Sequence, residues 1–208
     1  MEILNFNKSK ENIKIILASG SKQRQDIFKM VGLKFEVIKS LEEENSSETN
    51  PIKYVQELSK VKAISVSSQV NEKAIIIAAD TILYMNQKKY EKPKSKEEAY
   101  ENLKEMSGKT VNAVTGITIM DLYQNKTICF SDIVEVKFKA LEDKEIQWYV
   151  DNEPKIFNCC GFVPLGKAAI FIDKINGDYN TLFGISPSLL FSKLKEIGYG
   201  INDFEFEN

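Results

Sequence analysis

The run Lys73-Ala74-Ile75-Ile76-Ile77-Ala78-Ala79 constrains the fold more than any other stretch of the 208 residues. After the lysine it is apolar at every position, so a strand formed here needs cover on both faces. That is the situation of a central strand in an α/β sheet. Ile15-Ile16-Leu17-Ala18 reads as a second buried strand. Between the two, Pro51 stands where a helix begins, and Tyr54, Val55, Leu58, Val61 and Ala63 form an apolar stripe through about residue 68. Lys60 and Lys62 fall on or beside the polar side of that helix.

The remaining elements follow in order. Lys22 to Val31 predicts a helix closed by Gly32, and Phe35 to Ile38 a short strand. Asn86-Gln87-Lys88 reads as a hairpin turn returning into Tyr90-Glu91-Lys92-Pro93, and Lys94 or Ser95 starts a helix carrying Ala99, Leu103 and Met106. Val111 to Leu122 and Ile128 to Lys139, with Asn125 between them, predict a long hairpin. A short amphipathic helix at 142–151 ends at Glu153-Pro154. Phe157 to Gly166 reads as a close-packed loop, Ala168 to Ile172 as a strand, Asn176-Gly177-Asp178 as a turn and Ser188 to Ile197 as a helix. Residues 1–12 read as a short leader and 199–208 as an acidic, peripheral tail. No repeat or linker divides the chain.

Composition removes several chemistries. Histidine is absent, which excludes Ser–His and Cys–His nucleophile pairs and His-ligated zinc. Catalysis must then rest on carboxylates, lysines, hydroxyls or a hard metal held by oxygens. With 28 basic and 30 acidic residues the net charge is -2, so nothing argues for nucleic-acid binding. Cys129, Cys159 and Cys160 are too few and too poorly spaced for a disulfide framework or zinc site. A reducing cytoplasm is the expected compartment. No run approaches the ~18 apolar residues of a membrane span, so no membrane partner is expected.

Polar residues that interrupt the apolar elements mark the candidate site. Ala18 leads into Ser19-Gly20-Ser21, and Arg24 lies one turn into the helix that follows. A strand that ends in such a turn and opens a helix presents unpaired N–H groups and a positive dipole end, a seat for phosphate. Ser21 is a candidate N-cap, and Arg24 offers a planar fork for phosphate oxygens. An ordinary turn with a solvated arginine is the alternative. Asp80-Thr81 ends the central run yet precedes Ile82-Leu83-Tyr84-Met85. A buried carboxylate there is costly without a partner, and the carboxyl end of a buried strand is where open α/β sheets place ligands. Glu42 to Thr49 is an acidic loop, either solvated charge or a source of carboxylate near the first strand's end. Ser19, Ser21, Arg24, Glu44, Lys62, Asp80, Thr81 and Lys92 together supply two carboxylates for a divalent metal and three cations for a polyphosphate. That mixture suits metal-assisted attack of water on a phosphoryl group. No Walker A sequence is present.

Five ordered motifs carry a family resemblance. Ile16 to Arg24 (ILASGSKQR), Ala78 to Leu83 (AADTIL), Glu91-Lys92-Pro93, Ser107-Gly108 with Val114-Thr115-Gly116, and Asn180 to Gly184 (NTLFG) resemble the Maf family of septum-formation-inhibitor-like nucleoside triphosphate pyrophosphatases. The resemblance implies a Maf/ITPase-like α/β fold for residues 1–208, with a core of about 13–198 and two lobes of mixed sheet and helices around a deep central cleft. It implies hydrolysis of a non-canonical, modified or pyrimidine nucleoside triphosphate to the monophosphate and pyrophosphate, with Mg²⁺, Mn²⁺ or Co²⁺, and a homodimer. By position, Asp80, Glu44 and Lys92 match catalytic residues, with Asp80 and Glu44 holding the metal. Ser19, Ser21, Arg24, Lys62 and Thr81 match substrate-binding residues. The chain departs from the pattern with Val111 for a common histidine, Gln23 for a basic residue and Leu165 for an acid or amide. Val111 and Cys160-Gly161 resemble the branch acting on 7-methyl-GTP, and Asp80-Thr81 the dTTP/UTP branch. A catalytically weakened nucleotide-binding regulator of cell division is the alternative activity.

Overall fold

The computed structural model describes residues 12–42, 45–164 and 166–207. Its elements run β1 (Ile15–Leu17), α1 (Lys22–Met30), β2 (Glu36–Val37), α2 (Pro51–Ser67), β3 (Ile75–Met85), β4 (Lys88–Tyr90), α3 (Lys96–Met106), β5 (Thr110–Asp121), β6 (Lys126–Phe138), α4 (Asp143–Asn152), β7 (Ile172–Asn176) and α5 (Pro187–Glu196). The strands make one mixed sheet in the order β2-β1-β3-β5-β6-β7, with β4 added to β3. β1 pairs in parallel with β2 and β3, whereas β3, β5, β6 and β7 pair antiparallel. The α/β reading therefore holds, with a long antiparallel half that the alternation in Val134 to Phe138 foreshadows.

Asp80 does not end its strand. β3 continues through it, because β5 pairs every residue from Ile75 to Tyr84. What ends there is the neighbour on the other edge. β1 covers only Ile75–Ile77, and β4 returns opposite Leu83–Met85. The last backbone hydrogen bond from the β1 side, among the described residues, is Ala18 N donating to the Ile77 carbonyl at 2.8 Å. Residues 78–82 thus line a gap in the sheet edge, among the described residues, with Asp80 and Thr81 at its middle. The hairpin that brings β4 back turns through Asn86 and Gln87, both at positive φ, as two-residue hairpins of right-handed twist require.

The pleat sends alternate residues of β3 to opposite faces. Ile75, Ile77, Ala79, Leu83 and Met85 enter the main core with Phe28, Leu103, Tyr149 and Leu194. Ile76, Ala78 and Ile82 face α2, against Ala63, Val66, Val55 and Leu58. α2 starts cleanly, since the Asn50 side chain accepts from Ile52 N and Lys53 N at 3.0 and 3.1 Å and Pro51 takes the first helical position. It lies unusually close to the sheet. A Cβ on Gly116 would fall 2.3 Å from the backbone carbon and oxygen of Val55, so only glycine fits opposite Asp80 in the β3–β5 register.

Two further expectations fail. Ala168 to Ile172 is not a strand: Lys167–Ile170 form a 3-10 turn, and the strand begins at Ile172. A short apolar run has no period by which strand and helical turn can be told apart. The tail is not peripheral either. Phe204 is buried, Phe206 bridges Leu33, Lys34 N donates to the Glu205 carbonyl and Ile13 N to the Asp203 carbonyl. Phe-Glu-Phe-Glu alternates with the period of a strand, and its aromatic side packs on Phe191. The leader lies, apart from Asn12, outside the described residues.

Gly116→Ala is expected to lower unfolding free energy by about 3 kcal/mol or more, since backbone rather than a movable side chain blocks the added carbon. Urea denaturation measures it.

Candidate active site

Each side of the gap in β3 supplies part of a polar cluster. From the β1 side comes the Ser19-Gly20-Ser21 turn. Ser21 occupies the N-cap position of α1, but its hydroxyl makes no cap bond. Ser19 Oγ accepts from Ser21 N at 3.2 Å instead and so holds the turn. Arg24 reaches back over it. Its Nη1 donates to Ser19 Oγ at 3.2 Å, its Nη2 to Thr81 Oγ1 at 3.0 Å and its Nε to the Gly184 carbonyl at 3.4 Å. Thr81 Oγ1 is in turn 2.9 Å from Thr115 Oγ1 on β5. Lys39, two residues past β2, lies along Gly20, with its Cε 3.1 Å from where a Cβ there would stand.

On the opposite face, Lys62 Nζ donates to Asp80 Oδ1 at 2.7 Å. Both side chains are about nine-tenths covered. Lys62 therefore does not lie on the polar side of α2, as its flanking residues suggest. It occupies the buried stripe between Leu58 and Val66, where the carboxylate stands in for an apolar neighbour. Among the described residues, the Asp80 carboxylate hydrogen-bonds to Lys62 alone.

The β4 side contributes Lys92, exposed in the loop after Tyr90. Tyr54 Oη donates to Glu91 Oε1 at 3.3 Å and so ties that loop to α2. The segment from Cys159 to Gly161 closes the remaining side, with Cys160 Sγ donating to the Thr81 carbonyl at 3.5 Å across the open strand edge. Burial, aided by the Asp80 charge, pushes the Cys160 thiol up to about 12, while the Lys92 and Arg24 charges pull it down by less. One sulfur thus lies within electrostatic reach of all three. Burial also raises Cys159, against the hydrogen bond it accepts from Gln23 at 3.2 Å.

The structure therefore gathers Ser19, Ser21, Arg24, Lys62, Asp80, Thr81 and Lys92 around one gap. Glu44 and Leu165 lie outside the described residues. Sequence reasoning misses Lys39, Thr115 and Cys160 as members of this cluster. Thr115 and Gly184 sit inside motifs that carry the resemblance, but nothing in the string tells which side chain they meet.

Among the described residues no three His, Cys, Asp or Glu side chains cluster as a metal cage. The donor set suits a hard cation held in another way, by one carboxylate together with water and a ligand's own phosphates, as Mg²⁺ commonly is.

A mixed sheet flanked by helices, with its charged groups collected where a central strand loses one neighbour, defines an α/β protein with a strand-edge site. A family model described as Maf-like protein matches residues 14–197. The chain belongs to that family. It is 40% identical over 183 residues to a dTTP/UTP pyrophosphatase of Thermoanaerobacter sp. (strain X514), covering 88% of this chain and 96% of that protein. Proteins of the same name from Carboxydothermus hydrogenoformans and Clostridium tetani (strain Massachusetts / E88) are 36% and 39% identical. Those matches cover 90% and 89% of this chain and 100% and 98% of theirs. A solved HAM1 protein from Coxiella burnetii superposes with a TM-score of 0.47 and 13% identity, over 88% of this chain and 99% of that one. No described helix is long and apolar enough to cross a membrane.

Two outcomes follow from this geometry. Lys62→Met strands the Asp80 carboxylate in an apolar setting and is expected to cost about 3 kcal/mol in urea denaturation, part of it recovered by adding Asp80→Leu. N-Ethylmaleimide at pH 8 is expected to label the exposed Cys129 and spare Cys159 and Cys160, which mass spectrometry of the native protein reads directly. The raised Cys160 thiol favours the folded state fully below the ordinary value of 9.0, and that contribution is lost as pH climbs toward 12.

Proposed function

We propose that this protein hydrolyses a pyrimidine nucleoside triphosphate, dTTP or UTP, to the monophosphate and pyrophosphate. The observation that carries the reading is the gap in β3, where a carboxylate held by a buried lysine and a three-point-fixed arginine flank one open strand edge. The names of the curated relatives support the substrate over 7-methyl-GTP.

In this reading the Ser19–Ser21 turn and the N-terminus of α1 receive phosphate oxygens. Arg24, Lys92 and Lys39 spread positive charge along the triphosphate, so the departing pyrophosphate leaves as a well-neutralised anion. Asp80 orients the attacking water at the α-phosphorus and takes its proton, while Lys62 holds the carboxylate and offsets its charge. Thr81 serves the substrate side by keeping Arg24 in place. Mg²⁺, held by Asp80 with Glu44 as the expected second ligand, supplies Lewis-acid polarisation and a more acidic water when bound. The cation-rich gap recognises phosphates, and the nucleotide pool is its source of substrate. The chemistry needs no membrane or nucleic acid, and the described protomer supplies each named group except Glu44.

A panel of triphosphates with Mg²⁺ is expected to yield monophosphate and pyrophosphate, with dTTP and UTP preferred and turnover lost on chelation by EDTA. Asp80→Asn is expected to lower kcat by about 10²-fold or more, whereas Arg24→Ala and Lys92→Ala chiefly raise KM. Orthophosphate as product, or equal turnover in wild type and Asp80→Asn, overturns the reading. Nucleotide-dependent thermal stabilisation without product identifies a binding protein instead.

A further inference from the structure

Two of the bonds that fix Arg24 lead back to one rung of the sheet. Its Nη2 rests on Thr81 Oγ1, which meets Thr115 Oγ1 on β5 at 2.9 Å. In the β5–β6 ladder Thr115 stands directly opposite Asp132, so the two side chains share the face that carries Arg24. The second direction runs through the chain after β7. Thr181, fully buried, donates its hydroxyl to Asp132 Oδ2. Thr181 belongs to the 3-10 turn Tyr179–Phe183, which ends at Gly184.

Gly184 N donates to the Thr181 carbonyl at 2.9 Å, and the Gly184 carbonyl takes Arg24 Nε. Gly184 adopts φ +96, and a Cβ there would lie 2.5 Å from Arg24 Nε. Backbone conformation and space both reserve this position for glycine. Asp178 braces the same turn from its other end, accepting from Asn180 N at 2.9 Å and from Ser186 Oγ.

We propose that Asp132, two strands away from Asp80, is a positioning residue for phosphate binding, acting through Thr181 and the Gly184 carbonyl to set the Arg24 guanidinium. It does not touch substrate. Its carboxylate anchors the turn whose last carbonyl fixes Nε, and so decides where the two terminal nitrogens of Arg24 point. This deepens the proposed function and rests on it.

A double-mutant cycle on the full chain separates this role from a merely structural one. Inorganic tripolyphosphate with Mg²⁺ is titrated by calorimetry into wild type, Asp132→Ala, Arg24→Ala and the double variant. Arg24→Ala is expected to weaken binding at least ~10-fold and Asp132→Ala roughly 5-fold. The double variant is expected to fall within about twofold of Arg24→Ala, because coupled residues do not add. Thr181→Val should behave as Asp132→Ala does, and Thr181→Ser should bind as wild type. If Asp132→Ala fails to fold, Thr181→Val carries the same cycle. With dTTP the variants should raise KM more than they lower kcat. Wild-type affinity in both Asp132→Ala and Thr181→Val, or losses that multiply in the double variant, overturns the inference and leaves the functional reading standing. A wild type that binds no tripolyphosphate overturns both.

Discussion

The site depends on how deeply α2 is pressed into the sheet. Gly116 lets the backbone of Val55 come to a distance that no side chain would permit, and Gly116 is the β5 residue opposite Asp80. Two turns further along the helix, that depth places the Lys62 ammonium on the Asp80 carboxylate. The exchange is physically sensible. A close approach without side chains leaves little apolar area over the middle of β3, and an ion pair of good geometry occupies that place while keeping a carboxylate beside an open strand edge. Such a pair adds little to stability over apolar packing, so its retention fits use rather than structure.

The two faces of β3 divide the labour. Asp80 looks toward α2, and Thr81, one residue on, looks toward α1 and the chain after β7. A sheet normally keeps such neighbours apart. Here the missing strand partner between β1 and β4 exposes the edge from which both are accessible. Cys160 finishes that edge by donating to the Thr81 carbonyl, an acceptor that would be costly to bury without a partner.

Much of this was legible in the string. Asp80 announces itself by breaking an apolar run, and the Ser19–Arg24 turn by its strand-turn-helix order. The helices at 22–31, 51–68 and 142–151 and the long hairpin follow from apolar spacing bounded by glycine, proline and asparagine signals. Lys62 was named for the site, but its burial against Asp80 was not legible. A lysine beside a helix stripe is ordinarily solvated, and only the partner on another element reverses that expectation. Thr115 and Asp132 are hidden for a similar reason: within alternating strands they look like any half-buried polar residue until the register sets them on one rung. The error at Ala168 to Ile172 and the underrated Phe204 and Phe206 share a cause, since short apolar segments take their structure from what they pack against.

The order in which these contacts arise along the chain has a kinetic meaning. The Ser19–Ser21 turn lies near the start of the described chain, yet Arg24 is fixed by Gly184, and the residues flanking β1 and α1 are pinned by backbone bonds with residues 203–207. Contacts of such long sequence separation form late and make folding slow. A growing chain on the ribosome therefore carries β1 and α1 without these partners until residues 184–207 have been made. Arg24 takes its final place only once the turn ending at Gly184 has docked.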